Sequence, residues 1–285
     1  MAVSARPAND LPDPATGDLI DLRTAPAMRA GTFAWDGPDV ATGWHRHPYH
    51  QVEYALTGVA EVETPAGRYL LPPQQAIWIP AGLPHATTLS DVTSVAVFFD
   101  PSMLPGPADR ARVLAAAPVV REMIAYAVRW PIERPASDAA ADAFFEVLAR
   151  LVLDWLEQET PLWLPATSDP VIRAVMAYTD DHLPTVTAAS VCRAVGLSER
   201  TQRRRFPAVT GMTWRAYTLQ SRLLRAMALL AQPGTSILDV ATAVGFDSPS
   251  AFTRAFQRWT GESPSAYRRR ARATIPRRHD GGGVG

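Results

Sequence analysis

The pattern of apolar and polar positions changes character twice along the chain. Residues 1–30 are rich in Pro, Asp and Ala without a sustained period, and predict a loose arm. From Trp44 to about Phe99 the period is two. Val52, Tyr54 and Leu56 alternate with Glu53 and Ala55 as far as Thr57-Gly58, and a second run, Val59–Thr64, ends at Pro65-Ala66-Gly67. Further runs at Arg68–Leu71, Ala76–Ile79 and Val95–Phe99 are separated by Pro and Gly, so this part predicts a sandwich or small barrel. Beyond Pro101 the period lengthens. Residues 108–129 and 138–158 predict a pair of helices, the second marked by Phe144, Leu148, Leu151 and Trp155 at helical spacing. The stretch PLWLPATSDP (161–170) predicts a linker.

The last third contains an internal repeat. VCRAVGLSERTQRRRFPAVTGMTWRAY (191–217) aligns with VATAVGFDSPSAFTRAFQRWTGESPSAY (240–267), with one extra residue in the turn near Phe246-Asp247-Ser248. Each copy predicts a short helix, a turn containing Gly and a second helix opening at Ser198 or Ser248, which suit N-caps. Laid out at about 100° per residue, Arg200, Arg203 and Arg204 share one face of the first copy, opposite Gln202, Phe206 and Val209. In the second copy Ser250, Thr253 and Arg254 face away from Phe252, Phe256 and Trp259. A repeated apolar back with a varied polar front suits two readers of different base sequences. An Arg fork can donate two hydrogen bonds to guanine O6 and N7, which Lys cannot match. Between the copies, Trp214–Leu230 predicts a continuous helix of about 26 Å, able to set two recognition helices about one DNA turn apart.

Charge sharpens this picture. The chain has no net charge and no Lys, yet residues 1–167 hold 11 Arg against 20 Asp and Glu, and residues 168–285 hold 17 Arg against 8. An acidic module joined to a basic one suggests that the second meets a polyanion such as double-stranded DNA. No apolar run approaches a membrane span, and MAVSARPANDLPDPATGDLI predicts no secretory signal, so a cytoplasmic location is expected. The single Cys192 excludes an internal disulfide and is expected to be a small buried side chain.

WHRHPYHQVEY (44–54) places three histidines within six residues. His45 and His47, two apart on a strand, point the same way; if that is inward they can meet His85, which follows a turn in IPAGLPHATTL. His50 points with neither. The neighbouring Trp44, Tyr49, Tyr54, Trp78 and Phe98 are expected in the barrel core.

The marks AVGLSERTQRRRF, SRLLRAMALLA and AVGFDSPSAFTRAFQRWTGESPSAY resemble the DNA-binding domain of the AraC/XylS-type transcription regulators, over about the last hundred residues. Two departures fall in the first copy: Gln202 where the family usually has Leu, and Pro207, expected to interrupt the recognition helix. His45, His47, Gln51, Gly58 and Pro80–His85 resemble the two motifs of the cupin barrel, a common N-terminal sensor in that family. The resemblance implies an α+β multidomain chain. It would comprise an arm (1–30), a cupin-like sensor barrel (31–104), a helical dimerisation or linker segment (105–165), an all-α domain with two helix-turn-helix motifs (166–272) and a disordered tail (273–285).

The function implied is a ligand- or metal-responsive regulator that reads two adjacent major grooves, acts as a homodimer and meets RNA polymerase. Three imidazoles suit a divalent transition metal such as Zn, Ni, Cu or Fe. The Gln51 position is normally Glu in metal-binding cupins, which leaves the fourth ligand open, with Glu53 on the same strand face. The alternatives are direct binding of an organic effector, polar residues that only hydrogen-bond within the barrel, or a cupin-type oxygenase or isomerase with an appended DNA-binding domain.

Overall fold

Two strands of 14 residues, β3 (His50–Glu63) and β6 (Ala86–Phe99), organise the N-terminal half of the computed structural model. The structure describes residues 29–272, apart from 38, 74, 116, 135–137, 158, 160, 161 and 233. The arm expected up to residue 28 and the tail expected from 273 lie outside the described residues.

Around this long pair the other strands are all antiparallel. β1 (Ala30–Asp36) lies along the Thr93–Phe99 end of β6, and β2 (Val40–Ala41) along Thr88 and Leu89. β5 (Gln75–Ile79) pairs with Gln51–Tyr54, and β7 (Arg112–Ala115) pairs with β5. β4 (Gly67–Leu71) pairs with Ala60–Glu63, and β8 (Trp163–Pro165) pairs with β4. The strands thus form one eight-stranded sheet in which β3 and β6 are the common pair. β3 changes its other partner from β5 to β4 across register shifts around Thr57, where Gly58 holds a left-handed φ of +68°.

Both faces of β3 are buried near its start, which is why its alternation does not sort into core and solvent. Val52 and Tyr54, with Trp78, Val95, Val97 and Phe99, pack under α1 (Pro118–Ala127) and α2 (Ala139–Leu156). Gln51 and Glu53 turn to the opposite face and are equally buried. Asp138 caps α2 by accepting from the Ala140 and Ala141 amides, and Phe145, Leu148, Val152 and Trp155 form its buried stripe.

The C-terminal half is helical. α3 (Pro170–Asp181) opens on Asp169, α4 (Ala188–Val195) on a Thr187/Ser190 capping box, and α5 (Glu199–Thr210) on Ser198. α6 (Trp214–Ala231) leads to α7 (Ile237–Ala243), α8 (Pro249–Thr260), capped by Ser248, and α9 (Pro264–Arg272). The repeat is visible in side-chain detail. Thr210 donates to the Phe206 carbonyl at 2.8 Å and the Met212 carbonyl at 3.0 Å; Thr260 does the same to Phe256 at 2.9 Å and Glu262 at 3.0 Å. Each helix then ends on a left-handed glycine, Gly211 or Gly261, and Tyr217 or Tyr267 lies edge-on to the buried Phe206 or Phe256.

Several expectations need correction. The two runs on either side of Thr57-Gly58 are one strand, because a bulge takes up the glycine without turning the chain. β1 begins inside the expected loose arm. Residues 112–115, within the first expected helix, form β7, whose Val113 and Leu114 are buried on both faces and so carry no alternation. The expected linker contributes β8. Pro207 lies inside α5 without ending it, and the helix runs on to Thr210. Cys192 is a buried free thiol. Among the described residues, no helix is long and apolar enough to cross a membrane.

Candidate effector site and nucleic-acid interface

His45 and His85 face each other across an antiparallel bridge, each backbone N–H donating to the other's carbonyl, at 2.8 and 2.9 Å. That pairing sends both imidazoles to one side, and His47 joins them from two residues on. The ring centroids of His45 and His85 are 4.3 Å apart, and those of His47 and His85 are 5.2 Å apart. One ligand atom from each histidine lies within 4.8 Å of the other two. His47 and His85 are buried and His45 is half-buried.

The hydrogen bonds fix the ring tautomers. Nδ1 of His45 meets the Gly43 carbonyl at 3.0 Å, Nδ1 of His47 the Tyr49 carbonyl at 3.0 Å, and Nδ1 of His85 the Leu83 carbonyl at 2.9 Å. A carbonyl oxygen can only accept, so each neutral ring carries its proton on Nδ1 and offers Nε2 as a lone pair. Burial favours the neutral form of two of the rings: it lowers His47, and it takes His85 down to about 3, helped by the nearby His45. Nε2 of His85 is buried with no partner. A buried orphan lone pair beside two other imidazoles is what a cation would satisfy, and the Nδ1 bonds are of the kind that orient metal-binding histidines. The donor set fits a divalent transition metal after a small inward closure of the rings, since ligands about 2 Å from one ion lie closer together than 4.8 Å.

Gln51 and Glu53 extend the site. Gln51 Oε1 is 2.9 Å from His47 Nε2, and Gln51 Nε2 donates to Glu53 Oε2 at 3.0 Å. Two lone pairs face each other at the first contact. A cation held by both atoms relieves this, as does turning the amide over, which then requires a proton on Glu53. Burial pushes the Glu53 carboxyl up to about 7, against the opposing hydrogen bonds from Ser94 and Gln51. Glu53 therefore stands one hydrogen bond behind Gln51, and not in the histidine cluster itself.

His50 lies apart: its ring packs on Trp78 and its Nδ1 accepts from the Ala81 amide at 3.0 Å. The Phe98 ring meets His47 edge-on at 5.4 Å, while Tyr54 and Trp78 are buried on the helix-covered face.

On α5, Arg200, Arg203 and Arg204 are exposed, and Arg203 pairs with Glu199 one turn back at 2.9 Å. Arg205 instead turns inward to Asp169 at 2.8 Å, and Gln202 is buried beside Phe206. On α8, Ser250 and Arg254 are exposed and Thr253 is half-buried, opposite the buried Phe252 and Phe256. Sequence reasoning missed a contact between the halves, Arg68–Asp180–Tyr217, because nothing in local periodicity pairs residues so far apart.

Residues 32–164 match the AraC-like ligand binding domain, and residues 191–270 match a helix-turn-helix domain family. The chain is 27% identical to the HTH-type transcriptional regulator NimR of Escherichia coli over 237 residues, covering 81% of this chain and 84% of that protein. It is 32% identical over 143 residues to the HTH-type transcriptional activator RhaR of Klebsiella pneumoniae, a match that takes in 47% of this chain and 51% of the relative. A solved AraC-type transcriptional regulator from Chromobacterium violaceum is 25% identical with a TM-score of 0.36, covering 37% of this chain and 96% of that one. These relatives are transcription regulators and give no support to the enzyme alternative. The sheet-rich ligand-binding half and the duplicated helix-turn-helix half together make this chain a member of the AraC family of ligand-responsive, DNA-binding transcription regulators.

Proposed function

We propose that the chain reads promoter DNA through α5 and α8 and changes its hold on that DNA when an effector enters the histidine site. Arg200, Arg203 and Arg204 on α5, and Ser250, Thr253 and Arg254 on α8, are the residues assigned to the two major grooves. One observation supports this most: the helices share a buried aromatic back and cap, yet carry different polar residues in front. Two such helices are suited to different base sequences in one operator. The test is selection of binders from a random duplex pool, followed by footprinting. Two protected major-groove segments about one turn apart are expected; a single segment, or no sequence preference, would refute the double reading.

The effector site is assigned to His45, His47, Gln51 and His85, with a divalent transition metal as the ligand the donor set fits best. His45, His47 and His85 would hold such a metal through their Nε2 atoms, and it would supply a fixed positive charge beside the bridge between His45 and His85. An organic effector that hydrogen-bonds to the same lone pairs is the second reading. Metal content per chain, measured on protein purified without metal-affinity resin, separates them: about one metal, lost in His85→Ala, supports the first.

The exposed Val119 and Tyr126 of α1 and Val147 of α2 are assigned to contact with a second copy. Glu122 and Arg129 flank Tyr126 in the sequence, so the patch carries both signs of charge, and a two-fold contact can pair each with its opposite on the other copy. Sedimentation of wild type and Val147→Asp tests this, with a shift to monomer expected. Residence at a promoter makes RNA polymerase the further partner, and the cytoplasm the place of action.

A further inference from the structure

We propose that Glu53 is a positioning residue for the histidine site, pinning the Gln51 carboxamide so that its oxygen and not its nitrogen faces the imidazoles. The inference rests on the metal reading above and deepens it, because it decides what the fourth ligand is.

A carboxamide ends in a donor and an acceptor of nearly equal size, and whichever neighbour binds one of them decides where the other points. Glu53 is the neighbour here. Its Oε2 accepts from the Gln51 NH2 at 3.0 Å, which leaves Oε1 against His47 Nε2 at 2.9 Å. The two residues are i and i+2 on β3, so the pleat puts them on the same face, and both are buried. Two metal ligands about 2.1 Å from one ion and roughly at right angles lie close to 3 Å apart, which matches the spacing of His47 Nε2 and Gln51 Oε1. Three imidazoles and an amide oxygen carry no charge. Glu53 stands one hydrogen bond behind Gln51, where a bound divalent ion would favour its ionised form and so gain a counter-charge. The site is thus built for a divalent ion that accepts three nitrogens and one neutral oxygen, with its counter-charge held back from the metal.

The experiment is titration of the full-length chain with Co(II), which reports its ligand field in the visible spectrum, with affinity read by chelator competition. The variants are Glu53→Ala, Gln51→Ala, the double variant and His85→Ala. Wild type is expected to take one Co(II) per chain and His85→Ala to lose it. Glu53→Ala is expected to bind about 10- to 100-fold more weakly with a changed spectrum, and to add little once Gln51 is already Ala. Should Glu53→Ala not fold, Glu53→Leu, which removes the acceptor and still fills the space, serves in its place, with the same direction expected. If His85→Ala loses the metal but the Glu53 variant keeps wild-type affinity and spectrum, the positioning role is wrong and the metal reading stands. If the effects at Glu53 and Gln51 simply add, Glu53 does not act through Gln51 and the proposal fails. If wild type binds no Co(II), both readings fall.

Discussion

Arg68 of β4 holds Asp180 of α3, with Nη2 2.6 Å from the carboxylate, and thereby joins the sheet-rich half to the helical half. The Tyr217 hydroxyl of α6 donates to the same carboxylate at 3.0 Å, and Arg68 Nε also lies 3.3 Å from Glu61 of β3. One cation therefore serves an acid from each half. With the Arg68 side chain 37% and the Asp180 side chain 24% exposed, solvent screens this pair, and its value falls far short of a fully buried one. A double-mutant cycle between Arg68→Met and Asp180→Asn should give a coupling of about 1 kcal/mol in urea unfolding, shrinking with salt. Strict additivity would show that the contact contributes no coupling.

The two recognition helices should differ in what they lose. Arg254 is exposed with no acid of its own helix turn beside it, whereas Arg203 is already engaged by Glu199. Arg254→Ala is expected to cost about 1–3 kcal/mol at one base pair of the selected operator and to relax preference there. Arg203→Ala is expected to cost less, because the free protein gives up an ion pair when Arg203 turns to DNA. Equal loss at every base position in the Arg254 variant would count against base reading.

Metal-free protein should reveal two opposing titrations in one site. His85, held neutral by burial with its folded value near 3, makes stability fall as pH drops from about 6.5 towards 3, because there the unfolded chain binds the extra proton. Glu53, raised by burial to about 7, does the reverse: from about 4.5 to 7 the folded chain binds the extra proton, so stability falls as pH rises. The two oppose each other between about pH 4.5 and 6.5. Glu53→Gln removes one of them, so its stability should climb more steeply with pH than wild type, by about 1 kcal/mol per pH unit. Parallel curves for the two proteins would contradict the assignment.

Two glycines of the repeat occupy equivalent turns but not equivalent surroundings. Gly196 and Gly245 both have left-handed φ, +72° and +81°. A Cβ on Gly196 meets nothing, while one on Gly245 collides with the Pro184 carbonyl. Gly196→Ala should cost about 1 kcal/mol for backbone conformation alone, and Gly245→Ala at least about 2 kcal/mol more through the clash. Thermal unfolding of the two variants side by side distinguishes them.

How much of this was legible in the chain depends on the range of the interaction that decides it. The helix-turn-helix half was readable because its determinants are local and written twice: Ser198 and Ser248 as caps, Phe206 and Phe256 as buried backs, Gly211 and Gly261 as ends. The meeting of His45, His47 and His85 was readable because i, i+2 spacing needs only a strand, and one strand bridge supplies the third residue. β7 and β8 were not, since a strand buried on both faces has no period to detect. Nor was the persistence of α5 past Pro207, where Gly211 N–H bonding to the Pro207 carbonyl and Thr210 capping back on Phe206 keep the last turn intact.

The bulge in β3 separates two tasks that share one strand. Ahead of it, Gln51 and Glu53 lie on the part laced to β5 and β6; beyond it, Glu61 lies on the part laced to β4 and β6 and faces Arg68. A regular strand of this length would be a single beam, and a tilt at the imidazole end would be felt unchanged at the far end. With a joint at Thr57-Gly58 the beam becomes two, and β6 alone is paired across the break. The ladder between β3 and β6, with Thr57 opposite Thr93, is thus the pairing that continues past the joint and ties the Gln51 end of β3 to its Glu61 end.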